Sequence, residues 1–338
     1  MKDSSKMKKV IILSFLICCH CGYKVSIKYS ERHDLTYFPQ TDRFSIVFLY
    51  SFSNLTQLGF EPKFFTKVFR LLAGKETESE LIAPMGIWSD GNMIAVTDIS
   101  YKKVVIYDLK KGNVKEISEI NGMPLLWPVG VAICNQKIYV TDSARGKIFV
   151  NSVNNLKYLK EIDMKKPTGV ACYGDTICVS ETDAHRIVCF KENKVMEIGK
   201  RGELPGEFNY PTYIAFDRRG YLFVVDALNF RVQVFDQAFS FVRLFGEQGD
   251  VPGFIASPKG IGVNSEGYIF LTDAIMDIVQ IFDGFGNFVG FIGGTGSEEG
   301  RLYFPTGLFV DLKETVYVAD TYNSRIKVYQ CKNKMDVP

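Results

Sequence analysis

The feature that most constrains the fold of this chain is a repeat of 39 to 47 residues. Its clearest copy begins at Pro211, where four runs rich in valine, isoleucine, phenylalanine, tyrosine and leucine are separated by short polar segments. Such runs are typical of four antiparallel strands joined by tight turns. The same frame, a proline followed in five copies by a glycine two residues later and then by an apolar run, begins at Pro84, Pro128, Pro167, Pro211, Pro258 and Pro305.

Six copies of a four-stranded unit predict an all-β fold. A single four-stranded sheet has two faces to bury and cannot bury them alone, whereas sheets stacked radially around an axis bury both. The repeat length suits four strands with their turns. We therefore predict one domain, residues 41–331, folded as a six-bladed β-propeller of four-stranded antiparallel blades. The hydrophobic content of 46% is ample for its core.

The repeated residues resemble the NHL repeat of six-bladed propellers. The resemblance is carried by YLFVVDALNFRVQVFD in the fourth copy, TVYVADTYNSRIKVYQ in the sixth and TICVSETDAHRIVCF in the third, and it extends from Pro84 to Gln330. The WD40 repeat is a poorer match because its Gly-His and Trp-Asp signatures are absent. NHL propellers are interaction platforms, so the resemblance implies a binding role without identifying a ligand.

The sixth copy lacks a fourth strand of its own. Only a short polar tail follows Gln330, and an open sheet edge would expose unpaired backbone groups. We predict that residues 43–52 pair with residues 325–330 and close the ring; the alternative closing segment is 63–72. Residues 62–73 place phenylalanine, valine and leucine at helical spacing, which predicts a short inserted helix that packs on the propeller end. The alternative for its apolar face is contact with a membrane or a partner.

The N-terminus has the layout of an export signal. Four lysines within residues 1–9 precede the apolar run VIILSFLI, which is too short for a lasting transmembrane helix. The run ends on cysteine and resembles a bacterial lipoprotein signal, with Leu16 three residues before Cys19 as the lipidated residue. Cys18 departs from the small residue that usually precedes the lipidated cysteine. The alternative is an ordinary secretory signal.

This signal sets the expected organisation and location. We expect residues 1–21 to form the signal, 22–40 a tether and 332–338 a tail, with the lipid as the only membrane attachment. The expected location is the cell envelope, facing the periplasm, at the outer membrane rather than the inner. We expect a monomeric propeller. The formal net charge of +2 disfavours nucleic acid as a partner.

An acidic residue recurs where the second strand of each blade ends, and a basic residue follows five positions later in five blades. This spacing places acid and base opposite each other in a short hairpin, where the carboxylate also accepts backbone N–H bonds. Repetition around the ring favours a structural role, because a catalytic site needs different residues converging on one place. In the fifth blade Ile278 takes the basic position. The predicted pairs are Asp98 with Lys103, Asp142 with Lys147, Glu181 with Arg186, Asp226 with Arg231 and Asp320 with Arg325.

The start of each innermost strand should face the mouth of the central channel. Glycine there leaves room where six chains crowd around an axis, and Tyr213 is the exception. This tyrosine either narrows the mouth and presents a hydroxyl, or folds sideways against a neighbouring loop. Lys259 is either an anion partner or a solvated charge. The candidate mouth residues are Met85, Val129, Thr168, Thr212, Tyr213, Lys259 and Thr306.

The sequence contains no catalytic or metal-binding constellation that we recognise. The lyases and lactonases that this fold resembles hold a metal in the channel through histidine or carboxylate ligands. His185 is the only histidine within the repeats, so a three-histidine site cannot be assembled. We therefore predict no cofactor and a non-catalytic platform that binds another exported or membrane protein or a glycan. The alternative is a metal-dependent hydrolase or lyase acting at the channel mouth.

Two cysteines of the third copy fall opposite each other in the predicted hairpin. If Glu181 faces Arg186, then Cys178 faces Cys189. A cross-strand disulfide is one outcome in an oxidising periplasm. Two free buried thiols are the other, and we favour them because bridges between adjacent strands are strained.

Overall fold

The computed structural model describes residues 36–37, 44–59 and 80–333. Within them the chain forms six large antiparallel sheets, five with four strands and one with four strands and a short fifth. The first strand of each sheet contacts the first strands of the sheets before and after it, and the sixth contacts the first. The sheets are therefore the blades of a closed six-bladed propeller, which confirms the predicted fold. The predicted signal, which includes Cys19, and the predicted helix at 62–73 lie outside the described residues.

The strands of each blade are lettered a to d from the channel outward. Blade one comprises Pro84–Ser89, Met93–Asp98, Lys103–Asp108 and Asn113–Ile117; blade two Pro128–Cys134, Lys137–Asp142, Lys147–Ser152 and Tyr158–Asp163; blade three Pro167–Tyr173, Thr176–Glu181, Arg186–Lys191 and Lys194–Ile198. Blade four comprises Pro211–Phe216, Leu222–Asp226, Arg231–Phe235 and Phe241–Phe245; blade five Pro258–Val263, Ile269–Asp273, Ile278–Phe282 and Phe288–Gly293.

Blade six is completed by a strand from the N-terminal part of the chain, as predicted. Its strands a to c are Pro305–Val310, Thr315–Asp320 and Arg325–Asn333, and its strand d is Phe44–Phe52. The register pairs Ile46 with Cys331 and Phe52 with Ile326. Thr36–Tyr37 adds a short fifth strand outside it. Both ends of the ring thus meet in one sheet, and Phe44–Phe52 covers the edge that strand c of blade six would otherwise leave unpaired.

The two faces of the propeller are built from different connections. The upper face carries the b–c turns and the loops between blades, and the lower face carries the a–b and c–d turns. Three b–c turns contain a single turn of 3-10 helix, at Thr182–Ala184, Ala227–Asn229 and Thr321–Asn323. A small hairpin, Glu119–Ile120 with Met123–Pro124, precedes blade two. No helix in the described part of the chain is long and apolar enough to cross a bilayer.

The core is divided into six apolar clusters, one between each pair of neighbouring blades. This follows from strand geometry, since alternate side chains point to opposite faces of a sheet and each face meets a different neighbour. The a strands approach one another so closely that a Cβ added to Gly86 would overlap the carbonyl oxygen of Val129. Glycine at this position is therefore a packing requirement.

One lysine is buried inside blade six. Lys327 is fully buried, and its ammonium donates hydrogen bonds to the carbonyls of Glu298, Glu299 and Arg301. Burial, with the nearby positive charge of Arg325, lowers the pKa of Lys327 to about 7. Blades four and five use neutral amides at the same place, Gln233 and Gln280, which also bind the loop preceding their blade.

Candidate functional site

The acids that end the b strands bind backbone N–H groups of the upper face. Asp98 accepts hydrogen bonds from the amides of Ile82 and Ala83 at 2.6 and 3.1 Å, and Asp273 accepts them from Ala256 and Ser257 at 2.8 and 3.1 Å. Both carboxylates are fully buried. Each acid therefore fastens the loop that enters its blade, which is a structural task repeated around the ring.

Three of the predicted acid–base pairs form an ion pair, and in each of them the base is arginine. The terminal nitrogens of Arg231 also donate to the carbonyls of Glu203, Leu204 and Glu207 at 2.6 to 3.1 Å. The planar fork of arginine suits this role, because Nε can stay on the acid while the outer nitrogens reach the loop. The Nε–carboxylate distances are 2.6 Å for Arg186 with Glu181, 2.7 Å for Arg231 with Asp226 and 2.7 Å for Arg325 with Asp320.

The two pairs with lysine differ from the prediction. Asp98 and Lys103 are Cα partners, as are Asp142 and Lys147. However, the Lys103 ammonium lies 2.6 Å from Glu116, and that of Lys147 lies 2.8 and 2.6 Å from Glu161 and Asp163. Lysine carries its N–H donors only at the end of a long aliphatic stem. Its ammonium therefore extends beyond the acid of strand b and contacts carboxylates of strand d.

Tyr213 crosses the upper mouth of the channel. Its side chain is 9% exposed and belongs to the core cluster of blades four and five. That cluster also contains Val129 of blade two, and Met85 of blade one packs against it. Blades one and two lie across the ring from blade four, so this aromatic ring spans the mouth. Burial raises the pKa of the Tyr213 hydroxyl well above its ordinary value.

Two threonines of the predicted mouth are engaged between blades. Thr168 shares a hydrogen bond with Thr182, and Thr306 shares one with Thr321, both at 2.7 Å. Thr182 and Thr321 in turn donate to the proline carbonyl that begins the next blade, at Pro211 and Pro84. These hydroxyls lock neighbouring blades together and are not presented to a ligand.

Blades four and five lack this threonine pair. Ala227 takes the place of the second threonine in blade four, and the buried Thr212 hydroxyl has no hydrogen-bond partner among the described residues. Lys259 is the second residue of strand a in blade five. Its partial burial lowers its pKa, and the negative charge of Asp273 offsets part of that shift. The sequence signal for this difference was the alanine that follows each acid in these two blades.

Below the mouth, aromatic side chains and turns narrow the channel further. The rings of Trp88 and Phe309 on the a strands of blades one and six lie 6.2 Å apart. Trp88 packs against the core between blades one and two and also against the core between blades two and three. At the lower face Arg218 of blade four donates to the carbonyl of Leu312 at 2.9 Å and forms an ion pair with Glu314, both in blade six.

Metal-ligating side chains do not converge within the described residues, where no group of three or more histidine, cysteine or acidic side chains is placed to hold an ion. His185 lies at the b–c turn of blade three in the left-handed conformation, with φ 54°. Its Nδ1 accepts a hydrogen bond from the Tyr210 amide at 3.2 Å, and its ring packs edge-on against that of Tyr210. It has the contacts of a turn residue.

Four cysteines form two disulfides, which corrects our preference for free thiols. Cys178 is bonded to Cys189 across strands b and c of blade three, where the Cα atoms are 4.0 Å apart. Directly opposed residues of an antiparallel pair come this close at non-hydrogen-bonded positions. Cys134 is bonded to Cys172, which the sequence reasoning missed. Both lie near the ends of a strands in neighbouring blades, and aligning the repeats gives that signal.

Exposed apolar side chains are concentrated on the upper face. Among the described residues, eleven of the twenty large apolar side chains that are exposed lie there, whereas three lie at the lower face. The three at the lower face are Tyr173, Phe285 and Leu312. The eleven at the upper face are Ile82, Tyr101, Leu126, Trp127, Leu204, Leu228, Val251, Phe254, Ile275, Tyr303 and Tyr322.

Solved structures with the same fold include both binding proteins and enzymes. An auxiliary nutrient binding protein from Bacteroides thetaiotaomicron has a TM-score of 0.61 and 13% identity over 75% of this chain and 70% of its own. A gluconolactonase from Xanthomonas campestris has a TM-score of 0.57 and 12% identity, over 86% of this chain and 90% of its own. A catalytically inactive virginiamycin B lyase from Staphylococcus aureus has a TM-score of 0.55 and 15% identity, over 91% of this chain and 99% of its own. No family model and no curated protein matches the chain, so the propeller fold is supported and the NHL family is not confirmed.

Proposed function

We propose that this chain is a non-catalytic binding propeller of the NHL type, and that it binds another exported or membrane protein or a glycan through its outer surface. The observation that carries the proposal is the occupied channel. Tyr213 spans the upper mouth, and Trp88 packs across the lumen below it. A catalytic pocket needs space and convergent polar groups around a reacting atom. Binding on the exposed upper face suits this geometry better than chemistry at the axis.

The proposed location is the cell envelope, with a lipid on Cys19 as the membrane attachment and the outer membrane favoured. Two disulfides in and beside blade three support export, because such bonds form and persist in oxidising compartments. The nutrient-binding neighbours agree with a binding role for the fold. The closed ring supports a monomer, since each blade finds its partner within the chain.

The proposal is tested by capture and by metal analysis of the same purified protein. Immobilised protein should retain a specific component of an envelope fraction, and variants of the upper face should lose it while the lower-face variant Phe285→Ser, Leu312→Ser retains it. Elemental analysis after dialysis should find no stoichiometric metal. One calcium or zinc ion per chain together with hydrolase or lyase activity would overturn the proposal and support the enzyme alternative.

A further inference from the structure

Six exposed apolar side chains form a strip over blades four to six on the upper face, which we name the apolar arc. Three of them stand on b–c turns and three on the loops that enter blades five and six. Ile275 is 68% exposed and Tyr322 is 59% exposed. Large apolar side chains that are exposed together on one face are typical of interaction sites in soluble proteins. The members are Leu228, Val251, Phe254, Ile275, Tyr303 and Tyr322.

The apolar arc is held rigidly before any partner arrives. The Leu228 amide donates to the carbonyl of Asn209 at 3.0 Å, which joins the turn of blade four to the loop that enters that blade. The Tyr322 amide donates to the carbonyl of Tyr303 at 3.1 Å in the same way. Tyr322 also stacks on Phe304 with ring centroids 4.6 Å apart. A surface that is already ordered loses little entropy on binding.

Neighbouring blades are connected beneath the arc. Asp277, in the turn of blade five, is buried and accepts a hydrogen bond from the amide of Phe304 at 2.7 Å. Its other carboxylate oxygen accepts one from the Thr295 hydroxyl at 2.7 Å. The turn of blade five is thereby fixed to the loop that enters blade six. The part of the arc on blades five and six is therefore held as one unit.

The loops that carry the arc are acidic. Residues 246–257 and 294–304 together contain four acidic residues and one base, Arg301. The acidic residues are Glu247, Asp250, Glu298 and Glu299, all exposed. Carboxylates around an apolar strip favour a partner with positive charge, and they repel an anionic lipid surface.

We propose that the apolar arc docks a basic polypeptide segment whose aliphatic or aromatic side chains pack on Ile275 and Tyr322 while its lysines or arginines face the acidic loops. This inference rests on the proposed binding function and specifies its surface and its partner chemistry. Rigid aromatic and aliphatic anchors supply most of the affinity in such interfaces, and charge complementarity sets the orientation and the rate of association.

The test measures fluorescence anisotropy of labelled peptides with the full mature protein. The probes are a short peptide of leucine and lysine and a matched peptide of leucine and glutamate. The leucine–lysine peptide should bind, and its affinity should fall at least about tenfold with Leu228→Ser, Ile275→Ser. It should also fall with Glu247→Lys, Asp250→Lys and at high salt. The matched control is the double variant Phe285→Ser, Leu312→Ser, which replaces two exposed apolar side chains of the lower face by serine. It should bind the leucine–lysine peptide with unchanged affinity.

Equal binding of the two peptides, or an equal loss with the lower-face control, would overturn the inference. Failure of the leucine–lysine peptide to bind would also overturn it. Displacement of the peptide by a neutral polysaccharide or by anionic vesicles would reassign the arc to a glycan or to a membrane. In these cases capture from the envelope can still succeed, whereas a stoichiometric metal with turnover would defeat the proposed function itself.

Discussion

Replacing Arg231 by methionine tests whether arginine fastens blade four to the loop that enters it. The Arg231 Nε lies 2.7 Å from the fully buried carboxylate of Asp226, and its outer nitrogens bind three carbonyls of residues 203–207. Methionine keeps the apolar stem but leaves a buried charge and three carbonyls without this partner. Removing one partner of a buried ion pair costs about 3–5 kcal/mol. Asp226 keeps hydrogen bonds from Asn209 and Gln233, so we expect the lower end of that range.

The assay is thermal unfolding followed by calorimetry. A loss of about 3 kcal/mol in a domain of this size lowers the melting temperature by roughly 5 °C. The matched control is Lys103→Met at the same repeat position, because Lys103 pairs with Glu116, whose side chain is 41% exposed. Exposed pairs contribute at most about 1 kcal/mol, so we expect a shift below about 2 °C. Equal shifts in the two variants would refute the distinction between arginine and lysine blades.

Three other predictions address the core. The free energy of unfolding should rise as the pH increases from about 7 to about 10.4, because over this range Lys327 is deprotonated in the folded protein and protonated in the unfolded chain. Melting curves of Lys327→Gln should lack this pH dependence. Mass spectrometry after alkylation of the unfolded chain, expressed as residues 22–338, should show four more labelled cysteines when the disulfides are reduced first. In the folded protein the pKa of the Cys331 thiol is raised by burial, so alkylation of that residue should be slow. Gly86→Ala should cost about 3 kcal/mol or prevent folding, because its methyl group overlaps the Val129 carbonyl.

The architecture could be predicted from the sequence because the repeat fixes it at several levels at once. The same repeating unit is indicated by the proline that starts each copy, by the apolar runs and by the spacing of acid and base. Blade six lacked a fourth strand, so another part of the chain had to supply it. The pairing of Phe44–Phe52 with Arg325–Asn333 confirms that argument. A fold can be predicted from sequence when the local patterns and the overall architecture agree in this way.

The side-chain contacts of the site could be predicted less well. Strand register gives the residues that are opposite each other, whereas the contacts depend on how far each side chain extends. Asp98 and Lys103 are opposite each other as expected, yet the ammonium binds Glu116 on the next strand. The Cys134–Cys172 bond joins two blades, and hairpin register within one blade carries no information about it. The concentration of apolar side chains on the upper face also required the structure, since single exposed residues look alike in sequence.

The central claim, that the protein's own side chains occupy the channel, can be tested directly with its two tryptophans. Trp88 lies in the channel, whereas Trp127 is 48% exposed on the upper face. In the variants Trp127→Phe and Trp88→Phe, acrylamide should quench the remaining Trp127 several times more strongly than the remaining Trp88. Adding Tyr213→Gly should open the mouth and increase the quenching of Trp88. Equal quenching of the two tryptophans, with no effect of Tyr213→Gly, would contradict a closed channel.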